Sequence, residues 1–204
     1  MCALLQSEHY THLLDTLLVP HGSIVDRVEK LAYDINQDYH GETIHMLCVL
    51  KGGSQFFQDL QNALRKFHDY ARAGHIPFTF DFVRVKSYEG TESTGNVSIT
   101  GCDMSKLGDK HLLFVEDIID TGLTMTRLME HLKENISPKS VRVASLVEKR
   151  TSRSSGFKAD YVGYSIPDKF VVGYCLDYNE AYRDMSHIGV INKAGIEKFE
   201  NYDA

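Results

Sequence analysis

The segment Leu112-Leu113-Phe114-Val115-Glu116-Asp117-Ile118-Ile119-Asp120-Thr121-Gly122-Leu123-Thr124 joins an apolar run to two adjacent acids, two further apolar residues, a third acid and a small polar turn. His111 to Ile119 has the composition of a strand buried on both faces. Met125 to Glu134 shows helical spacing, which Asn135 and Pro138 end. The acids and the turn therefore sit at the carboxyl end of a strand. Three carboxylates held there cost stability unless a cation or a hydroxyl-bearing group meets them. The turn offers successive backbone N–H groups, the Thr121 and Thr124 hydroxyls and the positive end of a helix dipole, which is a phosphate cradle. Acids beside such a cradle suit a ribose 5-phosphate. Its cis-diol donates two hydrogen bonds to carboxylates while the phosphate takes the amides. A solvated acidic loop with a capping threonine would explain the turn alone, but not the whole ordered run.

Outward from this segment the same rhythm repeats. Ser23 with Asp26 three residues later predicts a helix start, and Ile24, Val25, Val28, Leu31, Ala32 and Ile35 form its inward face. Thr43 to Leu50 reads as a buried strand, followed by a helix from Gln55 to about Arg72. Phe78, Phe80, Phe82 and Val85 mark another strand, Val141 to Val147 the next, and Tyr161 to Ile166 and Val171 to Leu176 the last two. This alternation is the pattern of an α/β domain with a mostly parallel sheet. Ligands of such sheets bind beyond the carboxyl ends of the strands. From Glu89 to Thr100 the chain is polar, small and aperiodic. A long polar segment of that kind, Ser87 to Thr100, reads as a lid or as disorder.

With 204 residues the chain is long enough for one domain, and 43% hydrophobic with 25% charged residues is ordinary globular composition. A net charge of −6 argues against a partner held by neutralising many phosphates, such as a nucleic acid. No run approaches the roughly 20 apolar residues of a membrane span, and the start MCALLQSEHYTHLL is not built like a signal peptide, so the cytoplasm is the expected location. Cys2, Cys48, Cys102 and Cys175 are far apart; Cys48 and Cys175 lie in apolar runs and read as small buried hydrophobes. No strand is followed by G-x-x-x-x-G-K-[ST] or G-x-G-x-x-G, so ATPase and dinucleotide readings drop.

Leu50-Lys51-Gly52-Gly53-Ser54 makes a second strand-to-helix turn in which glycines admit close backbone approach and Lys51 adds charge. Two anion sites on one molecule suit a substrate with a phosphate at one end and a pyrophosphate at the other. Lys149 ends the Val141–Val147 strand, and Pro167-Asp168-Lys169-Phe170-Val171-Val172-Gly173-Tyr174-Cys175-Leu176-Asp177-Tyr178-Asn179-Glu180 follows. The acidic run and its turn resemble the phosphoribosyl-pyrophosphate motif of the type I phosphoribosyltransferases. The last run, the LKGG turn, Lys86-Ser87-Tyr88 and Ser93-Thr94-Gly95 extend the resemblance, over about residues 40 to 190, to the hypoxanthine-guanine branch of that family.

The resemblance implies the type I fold: a mostly parallel twisted sheet flanked by helices, one domain over residues 1–204, with a core near 40–166 and a small hood from about 1–22 and 167–204. It implies transfer of a 5-phosphoribosyl group to purine N9 with Mg2+, whose preference for hard oxygen suits these acids. Asp120 would accept the N7 proton as N9 attacks, and Lys149 would donate to purine O6, selecting 6-oxopurines over adenine. The phosphoribosyl group would lie on Glu116, Asp117, Ile118, Ile119, Asp120, Thr121, Gly122, Leu123 and Thr124, and pyrophosphate on Lys51, Gly52, Ser87, Tyr88 and Arg183. Lys169, Phe170, Val171 and Asp177 would frame the purine, with Phe170 stacking on it. Asp177, Glu116 and Asp117 are the implied metal ligands, and Leu50–Lys51 the implied cis peptide. Homodimers or homotetramers, phosphoribosyl pyrophosphate and 6-oxopurines are the implied partners. Leu123 departs from members that carry lysine there, which leaves the 5-phosphate to amides and hydroxyls. Transferases for xanthine, adenine or orotate, and nucleotide-sensing regulators on the same fold, are the competing readings.

Overall fold

The computed structural model describes residues 9–70, 76–87 and 97–202. In chain order it contains β1 (Leu14–Val19), α1 (His21–Asp38), β2 (Ile44–Val49), α2 (Ser54–Tyr70), β3 (Phe78–Ser87) and β4 (Val97–Thr100). Then come β5 (His111–Ile119), α3 (Leu123–Asn135), β6 (Ser140–Arg150), β7 (Tyr161–Pro167), β8 (Val171–Val172), β9 (Ile188–Ile191) and α4 (Lys193–Phe199). The main sheet runs β4-β3-β2-β5-β6-β7, parallel throughout except for β4.

Alternate side chains of each central strand enter opposite layers, because successive residues point to opposite faces. Met46, Cys48, Leu113 and Val115 pack with Ile24, Val28 and Ile35 of α1 and Phe56 and Leu60 of α2. Leu47, Val49, Leu112 and Phe114 pack instead with Met125, Leu128 and Leu132 of α3. All six residues of β2 are buried, as an unalternating apolar run requires. The parallel order aims the carboxyl ends of β2, β5 and β6 at one edge, and the turns that follow them meet there.

Several sequence expectations shift. The first helix starts at His21 behind Pro20, with no side-chain cap, so Ser23 and Asp26 do not form a capping box; Val25 of the expected inward face is exposed. Phe80 and Phe82 are each 44% exposed, although the Phe57 ring of α2 packs against both. Val97–Thr100 is an antiparallel strand on β3, because each strand satisfies the other's edge amides; residues 88–96 of the expected lid lie outside the described residues. The expected strand Val171–Leu176 stops at Val172, since Gly173, Tyr174 and Cys175 all take positive φ. Cys175 is consequently half-buried in a turn, while Cys48 is fully buried.

The first and last parts of the chain meet in a second, three-stranded antiparallel sheet ordered β1-β9-β8. Leu13, Leu14, Val172, Tyr182, Met185 and Ile191 pack together beneath it. None of this sheet but β8 was evident from periodicity, because its strands are two to six residues long. Among the described residues no helix is long and apolar enough to cross a membrane.

Candidate active site

The β5 edge and the β2 turn are interlocked. A Cβ built on Gly52 would stand 1.6 Å from Asp117 Oδ2, so only glycine lets the Lys51–Gly52 backbone approach that carboxylate. The Leu50–Lys51 peptide is cis, as the resemblance implies. Gly52, Glu116, Asp117, Asp120, Thr121 and Thr124 line one cavity of about 280 Å³, floored by Val49 and Met125. The two anion turns therefore open onto a common space.

Adjacent acids on a strand should diverge, yet the carboxyl groups of Glu116 and Asp117 interact directly. Pairing of β5 with β2 ends at Val115, just ahead of both acids. Burial raises the pKa of both above the ordinary carboxylate range. Glu116 is pushed further, because the Asp117 charge adds to burial, whereas backbone N–H groups and the Arg183 charge relieve Asp117. Ile118 N–H donates to Asp117 Oδ1 at 2.9 Å. Two acids held this way are poised for a counterion or for donors from a ligand.

Asp120 stands at the start of the turn, and Lys149 Nζ donates to its Oδ2 at 2.9 Å. Lys149 lies within β6 rather than past its end, and its side chain is only 9% exposed. Asp120 Oδ1 is buried without a hydrogen-bond partner, an acceptor left open beside the cavity. Arg153, whose surroundings in sequence give no sign of a role in the site, brings Nη2 to 3.5 Å from Asp120 Oδ1 and from Asp168 Oδ1. The Lys149 ammonium also lies 5.9 Å from the centroid of the Phe170 ring, which meets the Tyr178 ring in a T-shaped pair with centroids 5.6 Å apart. That ring is 51% exposed, so its face is free to stack, whereas Val171 is buried against β9. Lys169 is exposed, with its N–H turned back to the Pro167 carbonyl.

Gly122 takes φ +79°, and Leu123 N–H donates to Thr121 Oγ1 at 3.3 Å as α3 begins. Leu123 is exposed and Ile119 buried, so of this turn only backbone and hydroxyl groups can meet an anion. On the far side, Arg183 Nη2 pairs with Asp177 at 2.9 Å and its Nε donates to Glu180 at 3.2 Å. Lys51 Nζ reaches the same Glu180 oxygen at 2.9 Å. These two cations hold the Glu180 pKa at about 2, below its ordinary 4.5. Glu180 was not foreseen as a site residue; its place at the end of the DYNE run was the available signal. The structure thus gathers Lys51, Gly52, Asp177 and Arg183 on one side and Asp120, Lys149 and Phe170 on the other. Tyr88 and the Ser87 side chain lie outside the described residues.

No group of three or more His, Cys, Asp or Glu side chains among the described residues could hold a metal ion alone. The adjacent carboxyl groups of Glu116 and Asp117 are of the hard-oxygen chemistry that suits Mg2+, which commonly takes one or two carboxylates and fills its remaining positions with water and substrate oxygens.

A parallel sheet with a phosphate turn after one strand, a glycine turn after its neighbour and acids between them defines a class of pentosyl-transfer domain. Residues 17–179 match the phosphoribosyl transferase domain, and the chain belongs to that family. It is 50% identical over 193 residues to the hypoxanthine-guanine phosphoribosyltransferase of Canis lupus familiaris, covering 94% of this chain and 88% of that protein. The Homo sapiens protein of the same name is 48% identical over the same shares. Among solved structures, the hypoxanthine-guanine phosphoribosyltransferase of Schistosoma mansoni in complex with IMP superposes with a TM-score of 0.76 at 40% identity, over 95% of this chain and 89% of that one. The protein is a phosphoribosyltransferase.

Proposed function

We infer that the chain serves purine salvage, transferring the 5-phosphoribosyl group of phosphoribosyl pyrophosphate to N9 of hypoxanthine or guanine. The products are IMP or GMP and pyrophosphate. The observation that carries the choice of base is the buried lysine: Lys149 Nζ sits on Asp120 beneath the exposed face of Phe170. A base with an oxygen at position 6 gives that ammonium an acceptor, and one with an amino group leaves it unpaired. Acidic Asp120, with one oxygen already open, suits the N7–H of the same base. The reading over adenine and orotate rests on this donor and acceptor pair. Relatives at 48–50% identity named for hypoxanthine and guanine support it.

In this reading the N9–C1′ bond forms as the C1′–oxygen bond to pyrophosphate breaks, and the electron pair leaves with pyrophosphate. Asp120 takes the N7 proton, and Lys149 holds O6. The amides and hydroxyls of Thr121–Thr124 hold the 5-phosphate, and Lys51 and Arg183 steady pyrophosphate. Glu116, Asp117 and Asp177 would hold Mg2+ together with substrate oxygens. Bound there, the ion would take up charge developing on the leaving group. A cytoplasmic protein acting on small molecules fits the acidic surface. Phe80 and Phe82, exposed and with ring centroids 5.8 Å apart, form an aromatic patch over the buried Phe57, which favours burial against a second copy in a dimer or tetramer.

The test is a base panel. With Mg2+ and phosphoribosyl pyrophosphate, hypoxanthine and guanine should yield their monophosphates, with adenine and orotate far behind. Product from adenine or orotate alone would overturn the assignment of the base.

A further inference from the structure

The loop from Thr151 to Asp160, between β6 and β7, lies across the phosphate turn. Ser155 N–H donates to the Thr121 carbonyl at 2.7 Å. Thr126 Oγ1 donates to the Gly122 carbonyl at 3.1 Å and lies 3.0 Å from Ser155 Oγ. A hydroxyl has a single proton, so with that of Thr126 spent on Gly122, Ser155 Oγ must be the donor to Thr126. Phe157 N–H in turn donates to Ser155 Oγ at 3.4 Å. The result is one directed chain: Phe157 N–H, Ser155 hydroxyl, Thr126 hydroxyl, Gly122 carbonyl.

The loop is anchored beyond Ser155. Lys158 Nζ donates to Glu148, a side chain only 10% exposed, at 2.5 Å. Asp160 exchanges hydrogen bonds with the Val143 backbone, its N–H donating to the Val143 carbonyl at 2.9 Å and its Oδ2 accepting from the Val143 N–H at 2.8 Å. A Cβ on Gly122 would meet Phe157 Cβ at 2.9 Å and Ser155 Oγ at 3.0 Å, so loop and turn are in direct contact.

A peptide unit is planar, with its C=O and N–H pointing in opposite directions. Holding the Thr121 carbonyl toward the Ser155 N–H therefore aims the Gly122 N–H the other way. The Gly122 carbonyl accepts from both the Thr126 N–H, at 2.9 Å, and the Thr126 hydroxyl, and the Leu123 N–H of the same peptide turns to the phosphate side, where Thr121 Oγ1 accepts it at 3.3 Å. These amides belong to the cradle, and the turn carries no cation, since Leu123 occupies its middle. Without such a charge, phosphate affinity depends on how well the amides are aimed.

We propose that Ser155 is a positioning residue for the 5-phosphate turn, its N–H setting the Thr121–Gly122 peptide and its hydroxyl, through Thr126, setting the Gly122–Leu123 peptide. This rests on the phosphoribosyl reading of the same turn. The test compares dissociation constants of IMP and inosine, which differ by the phosphate, in the wild type, Ser155→Ala, Ser155→Thr and Thr126→Val. Ser155→Ala and Thr126→Val should each weaken IMP about three- to tenfold and inosine less than twofold, with Ser155→Thr recovering most of the loss. The double variant should lose little more than either single one, because both break one chain. Unchanged IMP affinity, or an equal loss for IMP and inosine, would overturn the positioning role. Wild-type protein that binds IMP no more tightly than inosine would instead overturn the phosphoribosyl reading beneath it.

Discussion

Lys149 Nζ and Asp120 Oδ2 stand 2.9 Å apart, so the two groups assigned to the neighbouring O6 and N7 atoms of one purine edge satisfy each other in its absence. The base takes its O6 contact from the lysine and its N7 contact from the carboxylate. Asp120→Asn preserves shape and the contact to Lys149 but removes the proton acceptor. Turnover with hypoxanthine should fall about 100-fold or more, while KM shifts severalfold at most. Steady-state kinetics of this variant decide it, and wild-type turnover would remove Asp120 from proton transfer.

Lys149→Gln tests base choice separately. The amide donates one weaker, uncharged hydrogen bond to O6 and can also accept one from an amino group. The preference for hypoxanthine over adenine, as a ratio of kcat/KM values, should contract at least tenfold. An unchanged ratio would assign selectivity elsewhere on the base rim.

Glu180 occupies the two cations assigned to pyrophosphate, accepting from Lys51 at 2.9 Å and Arg183 at 3.2 Å. Pyrophosphate must displace it. Glu180→Gln should therefore tighten pyrophosphate binding, by about two- to fivefold given how exposed these ion pairs are. With a pKa of about 2, below its ordinary 4.5, Glu180 keeps its charge above pH 4.5 and loses it only as pH falls through about 2. The effect should thus be constant from pH 6 to 8, as calorimetry with pyrophosphate would show.

His45 lies at the opposite end of β2, with Nδ1 2.7 Å from Thr79 Oγ1 and Asp81 and Lys110 as charged neighbours. Burial, then Lys110, lowers its pKa below the ordinary 6.5, and Asp81 only partly opposes them. A depressed histidine contributes stability above pH 6.5 that is lost as pH falls through its folded value. The melting temperature of the wild type should accordingly drop between pH 7.5 and 5, and that of His45→Gln should drop less. Glu116 and Asp117, whose pKa values are raised, change stability in the opposite sense over this range, so the difference between the two proteins is what isolates His45.

Phe80 and Phe82 are each 44% exposed on β3. Replacing both with Asp should lower the oligomeric state measured by light scattering, with secondary structure intact by circular dichroism. A monomeric wild type would refute the assembly reading.

Much of the site was legible because it lies within continuous runs. The order of acids, threonines and glycine from Glu116 to Thr124 fixes a strand end, a turn and a helix start, and the structure keeps all three. The LKGG turn was legible for the same reason. Arg153 and Glu180 were not, since a basic stretch and an acid in a loop look like solvated surface until the chain folds back. The rest of the small sheet is illegible as well, because β1 and β9 have only six and four residues, too short a run for a period to show.

By itself the sequence determined the α/β class and the chemistry at each strand end, since periodicity and turn composition are local properties of the chain. Only the tertiary structure decided which ends meet. It set Gly52 against Asp117, paired Lys149 in β6 with Asp120 after β5, and folded Ser155 onto Thr126, 29 residues away in sequence. Those are distances between segments, and they follow from parallel strand order and close packing rather than from any one run of residues.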